Sequence, residues 1–202
     1  ALPYMTKDFV EMTATQVRLT VTVFFVGYIF MPFFYGQISD NYGRLAVVKM
    51  GMILAIMGCV EVAACQTLSQ IYFGRFLQGA GCAAGVSVGR SMLRDVFTGT
   101  QLMVVGSDYV MVLMLAPMLA PLFGAYILNY SDWRMIFWIL SGLFLVILLF
   151  VIAYCPETNT KMQKGKFTLS EAWKEYTYLL QYGAFMRIIF VAGMPPMMVA
   201  VY

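Results

Sequence analysis

The sequence contains no histidine. Histidine is the usual general base at neutral pH and the commonest metal ligand, so its absence argues against triad-type hydrolysis and histidine-held metal centres. Charge is scarce as well. Asp, Glu, Lys and Arg make up 11% of the 202 residues, where a soluble domain carries about 25%. The net charge of +3 is small and spread over several short segments, so no nucleic-acid surface is implied. The four cysteines, Cys59, Cys65, Cys82 and Cys155, lie in apolar runs and form no C-x-x-C pair. They read as buried small hydrophobes, not as metal ligands or disulfide partners. There is no signal peptide, phosphate loop or nucleophile–base pair in a suitable context. The chain is therefore not expected to be an enzyme, and neither a cofactor nor a metal is expected. No polar stretch is long enough to make a separate soluble domain.

What is present is apolar: 61% of the residues are hydrophobic. The chain reads as an all-α membrane protein of several spans. Five runs are long enough to cross a bilayer: about Val17 to Gln37, Leu45 to Gln66, Ile71 to Met92, Tyr109 to Asn129 and Met135 to Tyr154. A sixth, Ile188 to Tyr202, stops at the chain end and reads as a cut span. Ala1 stands where an initiating methionine is usual, so both ends read as cut. The expected domains are a transmembrane bundle over 1–154, a solvated linker over 155–186 and the start of a second bundle over 187–202. The linker carries Lys161, Lys164, Lys166 and Lys174 with Glu157, Glu171 and Glu175, and a short amphipathic helix is expected near Leu169 to Leu180.

Positive charge sorts by side. Arg44, Lys49, Arg90, Arg94, Lys161, Lys164, Lys166, Lys174 and Arg187 fall on one side, and Lys7, Arg18 and Arg134 on the other. The positive-inside rule places the first set in the cytoplasm, Ala1 outside and the linker inside. Trp133 and Trp138 suit the interfacial belt.

Between the first two runs stands Gly36-Gln37-Ile38-Ser39-Asp40-Asn41-Tyr42-Gly43-Arg44. A charge-free run from Leu19 to Ser39 precedes Asp40. Glycines, an acid and a base crowded into so short a link suit a tight hairpin between two membrane helices. Gly36 and Gly43 allow close approach and positive φ. Asp40 and Arg44 sit at helix ends, where they can pair and act as a conformational latch.

Several residues inside the runs stand out. Arg75 lies near the start of the third, and an arginine within a span costs about 2.5–3.5 kcal/mol on insertion scales, so it should face protein or water. Helical spacing puts Gln78, Gly79 and Cys82 on its face. Gly74, Gly81, Gly85 and Gly89 form an adjoining ridge for close helix packing. A cavity-lining Arg75 is favoured over one that snorkels to the outer interface. Glu61 reads as a group reaching the outer headgroups. Pro117 and Pro121, followed by Gly124, each remove a helical hydrogen bond and suggest a hinge in the fourth run. Of the aromatic residues in the first run, Tyr28 and Tyr35 are the cavity candidates, because a buried hydroxyl wants a partner.

Taken together, these motifs resemble the major facilitator superfamily. Gly36-x-x-x-Asp40-x-x-Gly43-Arg44 resembles its loop between the second and third helices, although Leu45 replaces the basic residue usual there. Arg75-x-x-Gln78-Gly79-x-Gly81 is similar to the fourth-helix motif of proton-coupled exporters. Ala116-Pro117 to Gly124 is similar to the fifth-helix antiporter motif, with alanine in place of the glycine usual before the proline. That departure, with Arg90-x-x-x-Arg94-Asp95, Asp132-Trp133-Arg134-x-x-Phe137 and Pro156-Glu157-Thr158, resembles the Bcr/CflA drug-resistance branch.

The resemblance implies about twelve helices in two halves around a midplane cavity, of which this chain supplies about helices two to six and the start of seven. It implies a proton-coupled multidrug antiporter of the bacterial inner membrane, multi-pass and monomeric, working by alternating access. Its partners would be a small-molecule drug, protons and the lipid bilayer. Arg75, Gln78, Tyr28 and Tyr35 would line the substrate and proton pathway. Gly36, Asp40, Gly43 and Arg44 would form the latch, and Pro117, Pro121 and Gly124 the hinge. Two alternatives stay open: a related exporter of a metabolite, sugar or siderophore, and a truncated membrane protein that transports nothing.

Overall fold

Helix ends in this chain are set by a few residues that break or cap the backbone ladder. The computed structural model describes residues 14–159, with positions 177, 181, 183 and 187. Among these residues the helices are α1 (Ala14–Phe30), α2 (Pro32–Tyr42), α3 (Arg44–Ala64), α4 (Leu68–Val96), α5 (Gly99–Tyr130) and α6 (Trp133–Tyr154). All six lie in the first of two compact units, Ala1–Gln163; the second is Lys164–Tyr202. The expected helix near Leu169 to Leu180 and the last run from Ile188 lie outside the described stretch.

The first run is not one straight span. It breaks at Met31, and α1 and α2 meet at a bend of 40°. Pro32 opens α2, where its missing N–H and fixed φ are tolerated. Pro117 and Pro121, the expected hinge, do not interrupt their helix: α5 continues through both. At the far end of α2, Gly43 reverses the chain into α3 with φ 101°, a backbone angle that disfavours a side chain. Thr67 starts α4 with a capping box: its hydroxyl accepts from the Gln70 N–H at 3.4 Å, and the Gln70 side chain accepts from the Thr67 N–H at 3.0 Å. Both α4 and α5 run past the expected spans. α5 begins ten residues before Tyr109, because Leu102, Met103, Val104 and Val105 continue the apolar helical pattern.

By length and composition α3, α5 and α6 can each cross a membrane, and the bent α1–α2 pair can form a fourth span. α4 is long enough at 29 residues, but Arg75, Gln78 and its glycines lower its hydropathy. It is also the central helix, packed against α3 on one side and α1 on the other, while α3 meets α6. A helix packed between two others needs less apolar surface than one facing lipid on most sides.

Lipid tails are as apolar as leucine, so close packing holds membrane helices together more than water exclusion does. Small residues make that possible here. A Cβ added to Gly51, Gly58 or Gly81 would overlap backbone or side-chain atoms across the α3–α4 seam. One added to Gly27 or Gly79 would overlap backbone across the α1–α4 seam. The expected ridge is thus split. Gly74 and Gly81 face α3, Gly85 has open space, and Gly89 meets only the ring and hydroxyl of Tyr109. Larger side chains cluster at the two ends of the bundle. Val62, Cys65, Ile71, Trp133 and Phe137 pack at one end, and Tyr35, Val47, Val48, Ala84, Val88 and Val151 at the other. α5 contributes no buried residue to either cluster.

Candidate functional site

Charged groups gather where α2 turns into α3. Arg44 is the hub. Its guanidinium pairs with Asp40 at 2.6 Å and Asp95 at 3.0 Å, and donates to the Ser39 hydroxyl at 2.6 Å. Asp95 stands at the end of α4, so one side chain ties two helix ends together. The segment after α6 adds a third. Glu157 accepts from the backbone N–H groups of Arg44 at 2.9 Å and Leu45 at 3.0 Å, the unpaired donors that open α3. Asn159 donates to the carbonyls of Ser39 and Asp40 at 3.3 and 3.0 Å. Gly43 supplies the turn itself, whereas Gly36 has no neighbour that a Cβ would meet. The Arg44 side chain is 12% exposed and that of Asp40 is 54% exposed. Arg44 is therefore the fixed member of this cluster and Asp40 the accessible one.

Asp95, Glu157 and Asn159 were not among the site residues expected from sequence. The signal available was an acid at the end of one run and another just past the end of a later run. Only the fold shows that these ends meet.

Arg75 lies toward the opposite end of α4. Its Nη1 donates to the Gln78 side-chain oxygen at 3.1 Å, and the Gln78 amide donates to the Cys59 sulfur at 3.2 Å. The guanidinium lies 4.6 Å from the ring centre of Phe137, a favourable cation–π arrangement. Its Nε is buried without a hydrogen-bond partner among the described residues, and no carboxylate there pairs with it. Arg75 and Gln78 thus face α3 and α6. Nearby, Arg134 donates to the Cys65 carbonyl at 3.3 Å, pinning the start of α6 to the α3–α4 turn.

The tyrosines divide. Tyr35 is fully buried and its hydroxyl donates to the Ala80 carbonyl at 2.9 Å, which bolts α2 to α4. Tyr28 instead lines a cavity of about 660 Å³, with Arg90 and Arg94 of α4 and Tyr109 of α5. The Tyr109 hydroxyl donates to the Val86 carbonyl at 3.4 Å. The structure therefore keeps together the pair Arg75 and Gln78, but separates it from Tyr28 and from Tyr35. Arg90, Arg94 and Tyr109 were absent from the expected site residues. Two arginines one helical turn apart at the end of a run were the legible signal. Pro117, Pro121 and Gly124 lie on α5, the helix least engaged with the rest of the unit.

Comparison with known proteins matches residues 1–202 to the family model of the Major Facilitator Superfamily. The bicyclomycin resistance protein homolog of Haemophilus influenzae is 29% identical over 187 residues, covering 93% of this chain and 47% of that protein. The multidrug transporter MdfA of Escherichia coli O157:H7 is 27% identical over 169 residues, covering 84% of this chain and 41% of that protein. An uncharacterized transporter of Rickettsia bellii is 31% identical over 164 residues, covering 78% of this chain and 39% of that protein. The chain spans less than half the length of each of these relatives.

Proposed function

This chain belongs to the Major Facilitator Superfamily, and from that premise we propose that it forms part of a drug/proton antiporter of the bacterial inner membrane. A multi-pass transporter of this superfamily acts on small molecules and is not expected to do covalent chemistry. The relatives named for bicyclomycin resistance and multidrug transport support the narrower substrate class. The side bearing the Arg44 cluster is cytoplasmic in this proposal, because Lys49, Arg90 and Arg94 lie toward the same end.

The observation that carries the mechanism is the Arg44 cluster. Alternating access needs two states of similar free energy, and a contact that holds one of them must be able to break. An apolar core does not release readily, whereas an ion pair near solvent is worth only about 0–1 kcal/mol. Asp40 has that character: it is paired, yet mostly exposed. Arg44, held additionally by Asp95 and Ser39, stays in place when Asp40 leaves. The cluster then acts as a latch with one moving member.

Two further parts support the same mechanism. Arg75 holds positive charge inside the bundle without a carboxylate partner among the described residues. It would favour the charged form of an acid brought near it, and so couple proton loss to a change of state. α5 carries Pro117, Pro121 and Gly124 and touches the end clusters only through the half-buried Leu128 among the described residues, which suits a helix that flexes during transport.

The test is Asp40→Asn in the complete protein. Drug export should fall several-fold at near-normal membrane expression, because the variant loses a gate contact and no core. Unchanged export at normal expression would remove the latch from the mechanism.

A further inference from the structure

We propose that the cavity between α1, α4 and α5 takes an amphiphilic anion: a carboxylate, sulfonate or phosphate head carried on a flat apolar body. As a substrate site this rests on the exporter assignment above; as a binding site it does not. The cavity of about 660 Å³ falls within the roughly 300–1,000 Å³ that suits drug-sized ligands. Its charge is one-sided. Arg90 and Arg94 both line it, and no acidic side chain does among the described residues.

The acids close by in sequence are engaged elsewhere or lie off the lining. Asp95 is held by Arg44 at 3.0 Å, and Asp108, beside Tyr109 in sequence, is not part of the lining. Arg90 makes no hydrogen bond or ion pair among the described residues, and Arg94 donates to the Ser91 hydroxyl at 3.3 Å. Both arginines are exposed, so two guanidinium groups one turn apart present most of their donors to solvent at the cavity wall, in the planar arrangement that matches carboxylate and phosphate oxygens. The aromatic rings of Tyr28 and Tyr109 supply apolar walls, and the Tyr109 ring is positioned by its bond to the Val86 carbonyl. A lipophilic cation would meet the same walls and two like charges.

An anionic head of this kind has two sources: a soluble amphiphile, or an anionic phospholipid of the adjoining leaflet. The test uses the complete protein in nanodiscs of phosphatidylcholine. Binding of radiolabelled 1-naphthoate is compared by equilibrium dialysis with that of 1-naphthylmethylammonium. Naphthoate should bind at least about tenfold more tightly, about 1.4 kcal/mol. Arg90→Gln with Arg94→Gln should remove that preference, while Arg90→Lys with Arg94→Lys should keep most of it. Gly106→Trp, which fills the cavity, should lower binding of both probes. If the double Gln variant does not fold, the Lys pair and Gly106→Trp still test the site.

Repeating the titration with phosphatidylglycerol in the discs identifies the source. Competition assigns the cradle to lipid headgroups, and its absence assigns it to a soluble anion; either supports anion recognition. Equal binding of the two probes, or a naphthoate preference untouched by the Gln pair, overturns it. Drug-driven proton release is measured in parallel in inverted membrane vesicles. Coupled export without anion preference defeats this inference alone, and anion binding without coupled export defeats the exporter assignment alone.

Discussion

The carboxylate of Glu157 accepts from the backbone N–H of Arg44 at 2.9 Å, across a sequence separation of 113 residues. The same side chain takes the Leu45 N–H at 3.0 Å, so one residue beyond α6 caps the start of α3. An acid at this position both satisfies unpaired donors and meets the positive end of the helix dipole. It also places a negative charge beside the Arg44 hub. Glu157→Ala should lower the stability of the purified protein by about 0.5–2 kcal/mol, read as a drop in thermal midpoint in detergent. Glu157→Gln, which keeps an acceptor and loses the charge, should lie between Ala and the parent. Equal midpoints for all three would show that the cap contributes nothing.

The Arg44 side should be less tolerant than the Asp40 side. Arg44→Ala releases Asp40, Asp95 and Ser39 together, whereas Asp40→Asn removes one ion pair. Arg44→Lys keeps the charge but loses the fork that reaches several acceptors at once. Export normalised to membrane expression should therefore fall in the order Arg44→Lys, then Arg44→Ala. Equal export by Arg44→Ala and the parent would contradict the hub role.

Glycines on α4 give a contrast that depends on packing alone. A Cβ at Gly79 would run into the Phe24 carbonyl of α1, and one at Gly85 meets nothing. Gly79→Ala forces two backbones apart and should cost about 1–3 kcal/mol, as overpacking does. Gly85→Ala should be neutral or slightly stabilising, because alanine is the better helix former. Membrane yield and thermal midpoint of the two variants measure the difference. Similar losses for both would mean that the α1–α4 seam is not as close as described.

Much of this architecture was legible in the chain. The hairpin at Gly43, the apolar runs that became α3, α5 and α6, and the small-residue packing of α4 all follow from local composition and spacing. Other features needed the fold. Met31-Pro32 carried a local signal for a break, but it stood inside an uninterrupted apolar run, and hydropathy does not register backbone geometry. The Arg44–Asp95 and Glu157–Arg44 contacts join residues far apart in sequence, and nothing in their own segments names the partner. Arg75 and Tyr28 lie on neighbouring helices with compatible spacing, yet their faces point to different neighbours. Periodicity gives the face of a helix and not what lies opposite.

The orientation proposed from the positive-inside rule is open to direct labelling. Cysteines introduced as Ser131→Cys and Lys164→Cys, in the complete protein with its native cysteines replaced, are exposed to an impermeant maleimide on intact cells. Ser131→Cys should label and Lys164→Cys should not. The opposite pattern would reverse the assignment of the Arg44 cluster to the cytoplasm.

Drug-driven proton release from inverted membrane vesicles tests the antiporter assignment most directly, measured with the complete protein and with its Arg75→Ala and Arg75→Lys variants across pH. The parent should release protons on addition of a drug it exports. Arg75→Ala should lose that release at equal expression, and Arg75→Lys should keep part of it with a shifted pH dependence. Absence of proton movement in the parent during drug export, or a parent-like response of Arg75→Ala at every pH, would contradict the account.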